Sequence, residues 1–221
     1  MGKFDTAIFD LDGTLMNTLS DLQTAVAYAL GSDFDTVTEE VVLHNVNFGV
    51  RHLMEGAAKE IGLSLSEDEL DKVMDKFIAK YDECYADRTA LYDGMENLLV
   101  KLKKDGLAIA VFSNKADQFV KHLCDCKIPK GLVDHARGEI KGIPAKPNPD
   151  GAFLAMKALG REDKSKVAYI GDSDIDVMTA KNAGFYCIGV SWGYRDEELL
   201  VKTGADIIAH SADELYEIIS K

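Results

Sequence analysis

The sequence predicts an α/β fold: an open parallel sheet with helices on both faces, into which an all-helical domain is inserted. Three observations carry this. Short apolar runs alternate with helical stripes along most of the chain, three of those runs stop at polar groups, and one long segment holds helical stripes only. In open sheets of this kind ligands bind beyond the carboxyl ends of the strands, where the polar run ends converge.

Taken in order, Thr6 to Phe9 is an apolar run closed by Asp10 and a turn through Gly13, the pattern of a buried strand entering a loop. From Asn17 to Tyr85 the rhythm changes. A helix is expected around Leu22 to Leu30, followed by two amphipathic stripes: Val50, Leu53, Met54, Ala57, Ala58 and Ile61, then Leu70, Val73, Met74, Phe77, Ile78 and Tyr81. After Tyr85 the strand–helix alternation resumes. Met95, Leu98, Leu99 and Leu102 form a helical stripe, Leu107 to Phe112 a strand ending at Ser113-Asn114, and Val167 to Ile170 a strand ending at Gly171-Asp172. Tyr186 to Val190 and Ala205 to Ala209 are further apolar runs, and Leu215, Ile218 and Ile219 mark a last helix. The division expected is a sheet domain of residues 1–16 and 86–221 and a helical cap of residues 17–85.

The 221 residues carry 25 Lys plus Arg against 38 Asp plus Glu, a net charge of −13. Nucleic acid is not expected as a partner, because a polyanion needs a concentrated basic patch. The densest one, Lys101, Lys103 and Lys104, precedes Gly106 and reads as a last helical turn before a glycine cap. No apolar run reaches the ~18 residues of a membrane helix, and the first residues lack a signal-peptide core, so a cytoplasmic protein without membrane contact is expected. Gly2 and Thr6 fit the myristoylation pattern formally, but Thr6 opens the first strand and lipidation is not expected. The cysteines, Cys84, Cys124, Cys126 and Cys187, lack zinc spacing and read as reduced, buried or semi-buried thiols. The five histidines are scattered and form no metal-ligand pair.

The chemistry concentrates in four places. Asp10-Leu11-Asp12-Gly13-Thr14 sets two carboxylates two residues apart where a strand yields to a glycine turn, and the plain alternative is an acidic turn. Gly171-Asp172-Ser173-Asp174-Ile175-Asp176 repeats strand, turn and helix with acids that suit a hard cation or simply cap a helix. Lys146 stands before Pro147-Asn148-Pro149, which restrains it, and Ser113-Asn114 offers a hydroxyl and an amide to an anion. There is no GxxxxGK[ST] loop, no GxGxxG after the first strand and no GxSxG elbow.

In this order and on these strand ends, the four motifs resemble those of the haloacid dehalogenase superfamily, and the insert resembles its helical cap. SNKADQFV, KPNPD, GDSDIDVMTAKNAG, VSWGYR and ADIIAHSADEL look more narrowly like the phosphoglycolate phosphatase branch, although Asn17 stands where that branch usually has Asp. The resemblance implies a Rossmann-like core and a Mg²⁺-dependent phosphatase. Asp10 would attack phosphorus to form an aspartyl phosphate, and Asp12 would serve as acid and base. Asp10, the Asp12 carbonyl and Asp172 would hold the metal; Thr14, Ser113, Asn114 and Lys146 would bind phosphate. Asp176 would hold Lys146 or a metal-bound water from behind. Arg51, beside Gly49 on the cap, and Lys115 are candidate substrate contacts.

Charge explains why the cation is needed. A carboxylate brought to about 4 Å from a phosphate dianion meets roughly 8 kcal/mol of repulsion at an effective dielectric near 20, about six decades in rate. The substrate expected is a small phosphate ester, 2-phosphoglycolate first, for a monomer or homodimer. A β-phosphoglucomutase-like isomerase shares Asp10 and Asp12 and stays open as an alternative. A phosphate- or partner-binding module without catalysis is disfavoured, because all four motif positions are filled.

Overall fold

The computed structural model describes residues 3–46 and 48–221, so Gly2 and its lipidation pattern lie outside the described residues. The chain divides into two compact units, Met1–Met16 with Leu91–Lys221, and Asn17–Ala90.

The first unit is built on six parallel strands: β1 (Thr6–Phe9), β4 (Ala108–Ala116), β5 (His135–Glu139), β6 (Val167–Gly171), β7 (Tyr186–Val190) and β8 (Ile207–Ala209), in the order β5-β4-β1-β6-β7-β8. Two short strands, β2 (Met16–Asn17) and β3 (Ala90–Leu91), form a separate two-stranded sheet. The chain fills the sheet outward from β1 first to one side and then to the other. That reversal makes a crevice at the carboxyl end of β1, flanked by β4 and β6. Register places Phe9 opposite both Val111 and Ile170, so the residues that follow these strands emerge side by side.

β1 and β6 are buried at every residue, which is why they read as unbroken apolar runs. The crossovers carry α5 (Met95–Lys104), α6 (Asp117–Lys127), α7 (Asp150–Ala158), α8 (Asp174–Ala183) and α9 (Glu197–Thr203), and α10 (Ala212–Ser220) follows the last strand. Ile8, Phe112, Ala152, Met156, Tyr169, Val177 and Phe185 form a continuous core between strands and helices. The basic run at the end of α5 is a solvated face: Lys101 pairs with Asp213 at 2.9 Å and Lys103 with Asp134 at 2.7 Å. All four cysteines are free thiols; Cys84, Cys124 and Cys187 are buried, whereas Cys126 is exposed and departs from the expected burial. No helix among the described residues is long and apolar enough to cross a membrane.

The second unit is helical: α1 (Leu19–Leu30), α2 (Glu39–Asn45), α3 (Val50–Glu60) and α4 (Glu67–Cys84). The two amphipathic stripes lie on α3 and α4, and Ser66 with Glu69 forms a capping box that starts α4. The unit extends to Ala90, five residues past the expected boundary, for a physical reason. Asp21 of α1 is buried and accepts hydrogen bonds from Arg88 N, Thr89 N and Thr89 Oγ1, the shortest at 2.8 Å, which binds residues 88–89 to the helices. Removing this carboxylate strands two amides and a hydroxyl, so Asp21→Ala is expected to cost about 3 kcal/mol or more. Chemical denaturation should show the loss, with Asp21→Asn falling between the two.

Candidate active site

Asp10 leaves β1 held by its own amide, which donates to Ile170 O at 2.8 Å. The chain then turns tightly, with the amides of Leu15 and Met16 both donating to Leu11 O at 3.0 Å. Gly13 sits at φ 81, and any Cβ there would collide with the Asp172 carboxylate. This turn buries Asp10 and Asp12 at 2% and 4% exposure, and Asp172 and Asp176 are fully buried beside them.

Two lysines meet these acids. Lys146 Nζ lies 2.9 Å from Asp10 Oδ1 and 2.7 Å from Asp176 Oδ1, and Lys115 Nζ lies 2.7 Å from Asp12 Oδ1. Asp176 is saturated: Oδ1 also accepts from Tyr169 Oη at 3.3 Å, and Oδ2 accepts from Ser173 Oγ at 2.6 Å and Ser173 N at 3.2 Å within the capping box of α8. Of the two expected partners for Asp176, the geometry provides Lys146.

One carboxylate oxygen from each of Asp10, Asp172 and Asp176 lies within 4.8 Å of the others. Burial first, then Asp176 and Asp172, push Asp10 well above the ordinary carboxylate range against the lowering effect of Lys146. Asp172 is pushed up to about 7, by burial and then Asp176, against the amide of Tyr194, the Thr14 hydroxyl and Lys146. Burial by itself would lower Lys146, but Asp10 and Asp176 more than offset it and hold the ammonium well above its usual value.

These observations fit a divalent cation. Asp10 Oδ1 is buried and, despite the nearby ammonium, accepts no aligned hydrogen bond among the described residues. Four acids, Asp10, Asp12, Asp172 and Asp176, face two lysines, Lys115 and Lys146; with all four ionised the excess is two negative charges, which one such ion would match. Asp10 and Asp172 have oxygen lone pairs to offer it, while Asp176 is committed to its own partners.

Three of the expected site residues hold protein partners. Thr14, expected on phosphate, gives its one hydroxyl proton to Asp172 Oδ1 at 2.7 Å. Asn114 clamps the backbone of Lys146, donating from Nδ2 to its carbonyl at 3.1 Å and accepting from its amide at 2.7 Å, so its first effect is to place that lysine. Arg51 has carboxylate partners within its own unit. It lies in the helical unit with its guanidinium on Glu67 at 3.0 Å and Asp71 at 2.8 Å, its charge already matched. Ser113 Oγ stands 3.5 Å from Asp12 Oδ2. Asn17 Oδ1 accepts from the amide of Leu19, the first residue of α1, at 3.1 Å.

Sequence reasoning misses Tyr92, whose half-buried phenol is pushed up by burial and then by Asp172 and Asp12. It also misses the contacts of Trp192 and Tyr194: the Trp192 indole donates to Thr14 O at 3.0 Å and Tyr194 N to Asp172 Oδ2 at 2.8 Å.

Residues 7–190 match the haloacid dehalogenase-like hydrolase family. A phosphoglycolate phosphatase of Haemophilus influenzae is 30% identical over 98% of this chain and 99% of its own. An N-acetylmuramic acid 6-phosphate phosphatase of Pseudomonas aeruginosa is also 30% identical, over 99% and 96%. A crystal structure from Lactobacillus delbrueckii subsp. bulgaricus, named by inference a phosphoglycolate phosphatase, superposes with a TM-score of 0.90 at 33% identity, covering 99% of both chains.

Proposed function

The chain belongs to the haloacid dehalogenase-like hydrolase family, and on that premise we propose that it is a Mg²⁺-dependent phosphatase working through an aspartyl phosphate on Asp10. One observation carries the reading: two carboxylates at the end of the central strand each meet their own buried lysine, Asp10 with Lys146 and Asp12 with Lys115. Asp10 attacks phosphorus as the ester oxygen departs with a proton from Asp12. Water then attacks the phosphorus of the aspartyl phosphate, Asp12 takes its proton, and Asp10 is released. Lys146 supplies fixed positive charge, and Ser113 donates to a phosphate oxygen. Asp10, Asp172 and the Asp12 carbonyl would hold the Mg²⁺, which offsets the charge of the phosphate dianion.

The two curated relatives point to the substrate class. Each is named for a phosphate monoester of a molecule that also carries a carboxylic acid. A small phosphate ester with a second anionic group, 2-phosphoglycolate first, is therefore the proposed substrate. Lys115, whose ammonium reaches Asp12 from the end of β4, is the candidate partner for that group. The test is phosphate release from 2-phosphoglycolate, nucleotides, hexose phosphates and p-nitrophenyl phosphate, with Mg²⁺ and with chelator. Cation-dependent hydrolysis with 2-phosphoglycolate ahead is expected. Lys115→Met should raise KM about tenfold or more for 2-phosphoglycolate and much less for p-nitrophenyl phosphate, which lacks the second charge. Release that is indifferent to chelation defeats the mechanism, and faster conversion of β-glucose 1-phosphate to glucose 6-phosphate makes the protein a mutase.

A further inference from the structure

The Asp172 carboxylate is gripped from two sides by segments far apart in sequence. On one side stands Gly13 of the first turn, and on the other Gly193, where an added Cβ would fall on the carboxylate. Each oxygen accepts one hydrogen bond, Oδ1 from Thr14 Oγ1 at 2.7 Å and Oδ2 from Tyr194 N at 2.8 Å. A carboxylate has about four lone-pair sites, so each oxygen keeps one for a cation. The loop that carries Gly193 is itself anchored: Ser191 N donates to Ala209 O at 3.1 Å, and the Trp192 indole to Thr14 O at 3.0 Å. The same loop thus touches both the turn that bears Asp10 and the carboxylate of Asp172.

We propose that Trp192-Gly193-Tyr194 is a positioning strap that presents Asp172 to the divalent cation and locks it against the Asp10–Thr14 turn. Gly193 is needed for space, since the Asp172 carboxylate lies where any side chain would begin. The strap is a set of positioning residues, for none of the three is assigned a contact with the substrate. The inference rests on the cation-dependent reading of the site.

The test is Mn²⁺ binding, followed by the electron paramagnetic resonance of free Mn²⁺, on wild-type protein and three variants. Gly193→Ala should weaken binding by roughly 10–100-fold, the range for residues that orient a metal ligand. Activity on p-nitrophenyl phosphate should largely return at saturating cation. Trp192→Phe, which removes only the indole donor, should weaken binding roughly fivefold. Gly189→Ala is the structural control: its Cβ meets Ile208 and Leu200 rather than Asp172, so it should lower Tm without moving Mn²⁺ affinity. Wild-type affinity in a folded Gly193→Ala protein overturns the strap alone. If Gly193→Ala fails to fold, unchanged affinity in Trp192→Phe does the same. Ester hydrolysis that proceeds equally in chelator overturns the cation-dependent reading, and the strap with it.

Discussion

Asp10→Asn is expected to reduce phosphomonoester hydrolysis by about four to six decades, the loss seen when a nucleophile that forms a covalent intermediate is removed. The amide keeps the shape of the carboxylate but cannot attack phosphorus. Loss of folding would give the same silence, so stability is the necessary second measurement, and here the structure gives a sign. Without a cation, Asp10 is pressed by burial and by Asp176 and Asp172, with Lys146 the opposing charge. Neutralising it leaves Lys146 still paired with Asp176 at 2.7 Å and relieves repulsion in the cluster. The chelated variant should therefore melt no lower than chelated wild type. An inactive protein with an unchanged or raised Tm places the loss in what Asp10 does at the site, as nucleophile and cation ligand, and not in folding. Residual turnover within a hundredfold of wild type would show that another side chain receives the phosphoryl group.

Much of this site is legible in the sequence, and the reason is local. Asp10 and Asp12 stand at the end of a run buried at every position, and Asp172 follows another, so apolar periodicity alone brings three carboxylates to one edge of a sheet. What periodicity does not reveal are contacts made across long stretches of chain. Thr14 reaches Asp172 over 158 residues and Lys115 reaches Asp12 over 103. The Thr14 hydroxyl reads in sequence as a group offered to the substrate; only the fold shows that Asp172 already holds it, and that the Lys115 ammonium stands beside Asp12. β5, His135-Ala-Arg-Gly-Glu139, is hidden for a different reason, since it is an edge strand with little apolar content to mark it. The seven-residue α2 is too short for a stripe to stand out. Gly193 carries one signal, a glycine between two aromatic residues, but nothing local says that a carboxylate from another strand fills the space beside it.

Lys146→Met should produce the largest combined loss, in stability and in rate. The ammonium is 3% exposed in its side chain, lies between Asp10 and Asp176, and has its backbone clamped by Asn114, so it neither leaves the site nor samples water freely. Truncating one partner of a buried ionic cluster costs about 3–5 kcal/mol, because the charges left behind stay desolvated. Three carboxylates would remain here. The rate should fall about a thousandfold from the lost stabilisation of transition-state charge. Lys146→Arg is not a conservative rescue, since a planar guanidinium is wider than the ammonium in a pocket that is nearly closed. The decisive measurement is the cycle that combines both substitutions. Asp10→Asn removes one of the carboxylates that Lys146 compensates, so Asp10→Asn with Lys146→Met should be more stable than Lys146→Met alone, with a coupling of about 1–3 kcal/mol. Additive effects in that cycle would mean that Lys146 serves Asp176 only, and that the nucleophile's charge is balanced elsewhere.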